Sequence, residues 1–283
     1  MRRWWLIVVI VGWFGGLEAA SLKDMPSQSV SPLVEITACQ GPGMNYEAVG
    51  WSGLEGGTLR VSSPVTVSLV SQARVVSVWA LWMGEVAGAD GVVNHILFKN
   101  QQGDVHDIKA IWTERDRATG TVYACGSDVT TWWKGNGVYM VSGLGADVMP
   151  GGTRTASGWG LWVAYERPGE PTATVNLKRG LRVLHPSESY ELTLLAPSPR
   201  KKVMKLTVMG ARGGAELGGA NLINGRSLTG RSDWTGASGE RWDVWTVVSD
   251  QGIGAEQGVV LTIDPLLGWL YPVWYSVNIK EGK

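Results

Sequence analysis

Segments of strand length follow one another from about residue 46 to the C-terminus, each closed by turn residues. No stretch after residue 20 holds the 3.6-residue apolar period of a helix. The clearest segments are residues 59–61, 65–70, 75–82, 95–98, 138–141 and 161–165, then 192–195, 203–208, 259–263 and 274–277. Val, Thr and Trp are frequent in them, and 39 glycines and 12 prolines supply the punctuation. Short strands joined by tight turns read as a sandwich or jelly roll, an all-β fold.

The chain also repeats itself. Leu59, Arg60, Val61 and Pro64 match Leu181, Arg182, Val183 and Pro186. Val78, Ala80, Trp82, Met83 and Gly84 match Met204, Leu206, Val208, Met209 and Gly210. Leu97, Phe98, Lys99 and Asn100 match Leu222, Ile223, Asn224 and Gly225, and Asp128 with Val129 matches Asp243 with Val244. Leu161, Trp162, Val163 and Ala164 match Val273, Trp274, Tyr275 and Ser276. The order is preserved throughout, and the expected fold is two similar β-sandwich, jelly-roll-like lobes in tandem. The expected organisation is a signal peptide over 1–20, a leader over 21–45, one lobe over 46–170 and a second over 171–283, with the break at Pro168-Gly169-Glu170-Pro171.

Arg2 and Arg3 precede an apolar run over 4–14 and then small residues, the pattern of a secretory signal peptide cut after Ala20 or Ser21. The run is short of the roughly 20 residues a bilayer span needs. The mature chain is therefore expected to be secreted or at the cell surface, with no membrane span after signal removal. With 25 basic and 25 acidic residues, charge gives no reason for a nucleic-acid partner. The only cysteines, Cys39 and Cys125, are expected to form one disulfide in an oxidising compartment. Such a cross-link stabilises by about 4 kcal/mol in the chain-entropy model.

The segment Ser157-Gly158-Trp159-Gly160-Leu161-Trp162-Val163-Ala164-Tyr165-Glu166-Arg167-Pro168 resembles the "DG-x-x-L-V-V-V-Y-E-D-P" element of DUF3344-type extracellular β-rich domains of bacterial and archaeal surface proteins. Three further elements of that family have counterparts, in order. These are residues 76–82, residues 123–144 with Ser127-Asp128-Val129-Thr130 and Gly135-Asn136-Gly137-Val138-Tyr139, and Gly239-Glu240-Arg241-Trp242-Asp243-Val244-Trp245-Thr246. The resemblance covers about 46–280 and departs at Arg167, where the family carries an acidic residue. It implies an extracellular β-rich module of undefined biochemical role.

His95, His106 and His185 show no metal-ligand spacing, and no cofactor or metal site is expected. No Gly-x-Ser-x-Gly elbow marks a nucleophile, and the Gly-rich 213–219 lacks a Gly-Lys-Ser/Thr ending. Among the carboxylates, Glu166 or Asp128 could meet Asp243 between the lobes, although turn-capping is the favoured role for Asp128 and Asp243. Thirteen tryptophans follow residue 21, more than strand alternation hides in sandwich cores. Trp79 and Trp82, three apart, must face opposite ways, and Trp132 and Trp133 lie side by side in a loop. Trp79, Trp132, Trp133 and Trp234 are accordingly the candidate binding residues. The partners that suit them are a glycan or a surface protein, with self-assembly as a third possibility. The expected function is a non-catalytic adhesion, surface-layer or scaffold role. The alternatives are a carbohydrate-binding module using exposed tryptophans and a secreted hydrolase with its site between the lobes.

Overall fold

The computed structural model describes residues 33–116, 120–147, 156–212, 219–228, 233–239, 241–266 and 269–281. The expected signal peptide, and the leader up to residue 32, lie outside them. The first strands are β1 (Val34–Pro42), β2 (Asn45–Ser52), β3 (Leu54–Glu55), β4 (Thr58–Leu59), β5 (Ser63–Val67) and β6 (Arg74–Glu85). β7 (His95–Lys99), β8 (Val105–Lys109), β9 (Trp112–Arg115), β10 (Val122–Asp128), β11 (Gly137–Ser142) and β12 (Ser157–Glu166) follow. Next come β13 (Thr172–Arg179), β14 (Tyr190–Leu195), β15 (Ser198–Ala211) and β16 (Ala220–Ile223). The last are β17 (Arg226–Ser227), β18 (Trp242–Ala255), β19 (Val259–Asp264) and β20 (Tyr271–Glu281). Among the described residues the only helical turns are two short 3-10 segments, and no helix is long and apolar enough to cross a membrane.

Apart from the short β3–β4 pair, the strands form four antiparallel sheets. Sheet I runs β5-β11-β7-β8, sheet II β2-β12-β6-β10-β9, sheet III β1-β13-β20-β15-β18 and sheet IV β14-β19-β16-β17. If β2, β5, β6, β7, β8, β10, β11 and β12 are counted one to eight, sheet II reads 1-8-3-6 and sheet I reads 2-7-4-5. The strands β13 to β20, counted the same way, give the same two orders in sheets III and IV. This is jelly-roll strand order, met twice. β9 extends sheet II and β1 extends sheet III. Residues 34–42, read from the sequence as a leader, are thus an edge strand that pairs with β13.

Three apolar cores stack the sheets in the order I, II, III, IV. Val65, Phe98, Ile108, Tyr139, Trp82 and Trp159 fill the space between I and II. Leu192, Ile223, Leu261, Leu206, Val208 and Tyr275 fill the space between III and IV. Between II and III lie Trp79, Met83, Trp162, Val175, Met209, Trp242 and Trp274. The two sandwiches therefore share a third core, and the described residues belong to one compact unit. Burial patterns follow from this layering. In outer strands such as β5 and β7 buried and exposed residues alternate strictly, whereas β12 is buried at nine successive positions. Sheets covered on both faces need apolar residues at odd and even positions alike.

The shared core depends on close backbone approach. Trp242 of β18 lies against Gly50 of β2 and Gly158 of β12. A Cβ at Gly50 would fall 2.6 Å from the indole Nε1, and one at Gly158 would fall 2.5 Å from Cδ2.

Pairing registers correct two of the sequence matches. Met83 and Met209 both face the shared core, as matched. Asp128, however, is opposite Trp79 at the end of β10, whereas Asp243 is opposite Gly210 at the start of β18. The residue paired with Gly84, the counterpart of Gly210, is Tyr123. Likewise Met83 pairs with Gly158 and Met209 with Trp274, so Trp274 corresponds to Gly158 rather than to Trp162. The second match slides by four residues, which keeps the same face of a strand and so escapes alternation, whereas the first slides by five and changes face.

The expected Cys39–Cys125 disulfide is not formed; both thiols are free. Cys125 points into the core between sheets I and II, while Cys39 packs against the core between II and III. Sheet II stands between them, and a disulfide needs Cβ atoms about 4 Å apart.

Candidate functional site

The seam between the sandwiches, where the hydrolase alternative would place its site, is filled by side chains and tied at both ends. At one end the Arg212 guanidinium donates to both Glu85 carboxylate oxygens at 2.7 and 3.0 Å. The Tyr271 hydroxyl donates to Glu85 Oε1 at 3.3 Å, and Arg212 lies over the Tyr271 ring. Burial holds the Tyr271 phenol well above its usual range, so it stays a donor. At the other end Lys205 Nζ donates to the Tyr46 carbonyl at 2.7 Å and to Glu47 at 3.1 Å. Tyr46 in turn donates to the Ser276 carbonyl at 3.0 Å, and Asn278 donates to the Met44 carbonyl at 2.9 Å. These bonds link strands of different sheets, while Arg212 Nε and Asn278 Oδ1 within the same groups are buried without a hydrogen-bond partner.

Glu166, Asp128 and Asp243, the carboxylates weighed from the sequence, are engaged by cations or backbone amides, as are Glu170 and Glu114. Glu166 pairs with Arg74, Glu170 with Arg167 at 2.7 Å and Glu114 with Arg179 at 3.5 Å. Asp128 accepts from the Thr130 amide at 2.8 Å and caps the turn that follows β10. Asp243 accepts from the amides of Thr235, Gly236 and Ala237 at 2.8–3.1 Å. Both are turn-capping residues, as their chemistry suggested, although they are not equivalent positions. Burial pushes the Asp243 carboxyl above the usual carboxylate range, and the three amides pull it back. Glu240 lies outside the described residues. Among the described residues, no three His, Cys, Asp or Glu side chains converge as a metal set would.

Of the four candidate tryptophans, Trp79 and Trp234 are buried, and Trp132 and Trp133 are half-buried with one ring face stacked. Trp79 and Trp82 do point to opposite sides of sheet II, but both sides are core. Trp79 donates to Ser77 Oγ at 3.1 Å. Trp234 is fully buried and donates to Asn221 Oδ1 at 3.1 Å. Trp132 stacks on His106 with centroids 4.9 Å apart, and Trp133 stacks on Tyr139 at 5.0 Å. Half-buried, these last two close one end of the core between sheets I and II. Surface tryptophans that the sequence reading did not select are Trp51 and Trp269, each 37% exposed. Trp51, with Val49, Gly50, Pro64, Val65 and Thr66, borders a hollow of about 360 Å³ where sheets I and II part.

The outer face of sheet I is the more unusual surface. Leu97 on β7, Val105 on β8 and Val138 on β11 point outward at 43, 59 and 48% exposure, around half-buried Met140. Met140 pairs with Pro64 on one side and Lys99 on the other, and Lys99 pairs with Val105, so one row crosses all four strands. A hollow of about 200 Å³ lies among Ser62, Leu97, Lys99, Val105, Met140 and Ser142. The matching face of sheet IV presents Glu191, Thr193, Val260, Thr262, Leu222, Asp264 and Ala220 instead. The signal in the sequence was an apolar residue at the outward position of an alternating strand, as in His95-Ile96-Leu97-Phe98-Lys99.

No family model matches the chain, and no curated protein matches it. Solved structures with some likeness include the STIV MCP (TM-score 0.28, 9% identity, 83% of this chain and 96% of that one). The major capsid protein P2 of bacteriophage PM2 gives a TM-score of 0.28 and 9% identity over 85% of this chain and 98% of that one. A peptide-N(4)-(N-acetyl-β-D-glucosaminyl) asparagine amidase gives 0.24 and 10% over 84 and 96%. Overlap this loose bears on neither activity nor assembly.

Proposed function

We propose that this chain is a non-catalytic structural protein of an exported or cell-surface assembly, working through contact surfaces rather than through a reaction centre. The observation that carries this reading is the apolar outer face of sheet I, where Leu97, Val105 and Val138 stand exposed around Met140, set against a sheet IV face that mixes Leu222, Val260 and Ala220 with Glu191, Thr193, Thr262 and Asp264. An exposed cluster of this kind on one of two matching sheets marks an interaction surface. A filled seam with its carboxylates committed to local partners supports the structural role over the hydrolytic one. Export rests on the basic start and apolar run of residues 2–14. The test is a turnover screen of the purified chain against glycan, ester and peptide panels. No turnover is expected; turnover abolished by Glu85→Gln or Asp243→Asn would overturn the reading.

A second reading, glycan binding, is favoured by one observation. Trp51 borders a hollow and keeps part of its ring open, as sugar stacking requires. Glycan-array binding lost in Trp51→Ala and kept in Trp132→Ala would support it.

A further inference from the structure

We infer that copies of this chain stack head to tail, the outer face of sheet I on one copy lying on the outer face of sheet IV on the next. This rests on the structural role proposed above and names its partner.

The two faces are the ends of the four-sheet stack, and their charges differ in sign. Sheet I presents exposed Lys99, Lys109 and His95 with one carboxylate, Asp107. Lys99 stands within the apolar row, and Lys109 pairs with His95 at the end of the sheet. Sheet IV presents Glu191 on β14 and Asp264 on β19. Its one exposed cation among the described residues, Arg226 on the edge strand β17, is paired with core-facing Ile223 and so lies out of these rows. Glu191, Thr262 and Leu222 are register partners in one row, Asp264 and Ala220 form the row on one side of it, and Thr193 and Val260 the row on the other. Half-buried Thr262, Leu222, Val260 and Ala220 give sheet IV a partly apolar floor onto which Leu97, Val105 and Val138 can lie, while the lysines of sheet I meet the acids of sheet IV.

Pairing either face with itself is less favourable. Sheet I on sheet I brings a surplus of lysine against lysine, and sheet IV on sheet IV opposes two pairs of carboxylates. Like charges set together raise the energy of a contact, and opposite charges fix its partner. The contact is heterologous, so each copy keeps one free end and the product is an open filament. Sheets pack about 10 Å apart, so four layers give a repeat of about 40 Å per copy.

Four strands of about five residues cover roughly 300 Å² at ordinary strand spacing. A stable pair buries about 800 Å² on each partner. Each contact is thus weak in solution and sensitive to salt, because its charges are partly exposed.

Sedimentation of the chain without residues 1–20 over a rising concentration series, at low and high salt, tests the inference. At low salt the average mass is expected to climb past two copies, and high salt to lower it. Lys99→Glu with Lys109→Glu, and separately Glu191→Lys with Asp264→Lys, should each remain monomeric. Mixed, they should associate again, because every sheet I then meets a sheet IV of opposite charge. Lys99, Lys109 and Glu191 are exposed, while Asp264 is half-buried and accepts from the Leu266 amide at 2.9 Å; should either pair fail to fold, Val105→Glu tests sheet I alone. In a Cys39→Ser background, oxidation of Leu97→Cys with Thr262→Cys should give a ladder beyond the dimer. A monomer at every concentration, a closed dimer, or a mixture that stays monomeric would overturn head-to-tail stacking. That result, with no turnover in the screen above, leaves a structural role with another partner; turnover refutes the role itself.

Discussion

Replacing Gly158 by alanine tests whether the two sandwiches are held by one shared core. The new Cβ would lie 2.5 Å from Cδ2 and 2.7 Å from Cζ3 of Trp242, a ring that is itself fully buried. Carbon atoms in contact prefer about 3.5–4.0 Å, so the indole must move by about 1 Å. Gly50 bars the way near Nε1, and the Trp274 ring lies 6.0 Å away centroid to centroid. Overpacking of this kind costs about 1–3 kcal/mol. Loss of glycine's freedom in the unfolded chain gives back about 0.4–1 kcal/mol. The net loss should be about 1.3 kcal/mol, a fall of about 3–5 °C in Tm for a unit of this size. Urea unfolding followed by far-UV circular dichroism and by tryptophan fluorescence should show the same shift with both probes. Trp242→Ala alone should cost about 3–5 kcal/mol by leaving a cavity. The double variant should cost less than the sum by about 1–2 kcal/mol, because the alanine methyl enters the space the ring vacates. A neutral or stabilising Gly158→Ala, or strict additivity with Trp242→Ala, would refute the reasoning.

Three further outcomes are expected. Unfolded without reductant, the chain should react with a thiol reagent at both Cys39 and Cys125; when folded, Cys125 should stay protected, since burial pushes its thiol up to about 11. A thiol whose folded pKa is raised adds stability that is full below about pH 9 and lost as pH rises toward 11, so Cys125→Ala should flatten the alkaline fall in the urea midpoint. Arg212→Met should cost about 3–5 kcal/mol by leaving Glu85 buried without its cation, whereas Glu85→Leu with Arg212→Met should cost far less, both read by thermal unfolding. Because the Asp243 carboxyl is raised, its contribution is full below about pH 4 and falls as pH rises through the folded value. Asp243→Asn should therefore lose more stability relative to the parent at pH 4 than at pH 7, and a difference that grows with pH would contradict this.

The strands and the alternation of their side chains were legible in the sequence. Val65-Thr66-Val67 and His95-Ile96-Leu97-Phe98 alternate as half-buried strands should, and they are β5 and β7. Trp79 and Trp82 face opposite ways because side chains alternate with period two. Trp79 and Trp234, candidates for a surface from the sequence, are buried for one physical reason. Counting tryptophans against a two-layer sandwich leaves some rings over, whereas four layers bury both faces of sheets II and III. The unbroken run Ser157-Gly158-Trp159-Gly160-Leu161-Trp162-Val163-Ala164-Tyr165, with almost no polar position, carried that message. It is the composition of a strand covered on both sides. Trp51 escaped notice because nothing local separates an edge tryptophan from a core one.

Local chain properties decided the class of this protein. Periodicity, turn residues and the order of the internal matches specify β-strands and a recurring unit, since these depend on neighbours a few residues apart. Only the tertiary structure decided which sheet lies against which, how far the matched strands slide, and that Cys39 and Cys125 stand on opposite sides of sheet II. Those outcomes depend on shape at long range, where Trp242 fits only because Gly50 and Gly158 carry no side chain. The same layering leaves Leu97, Val105 and Val138 outward, turning an ordinary strand pattern into the surface on which the proposed stacking depends.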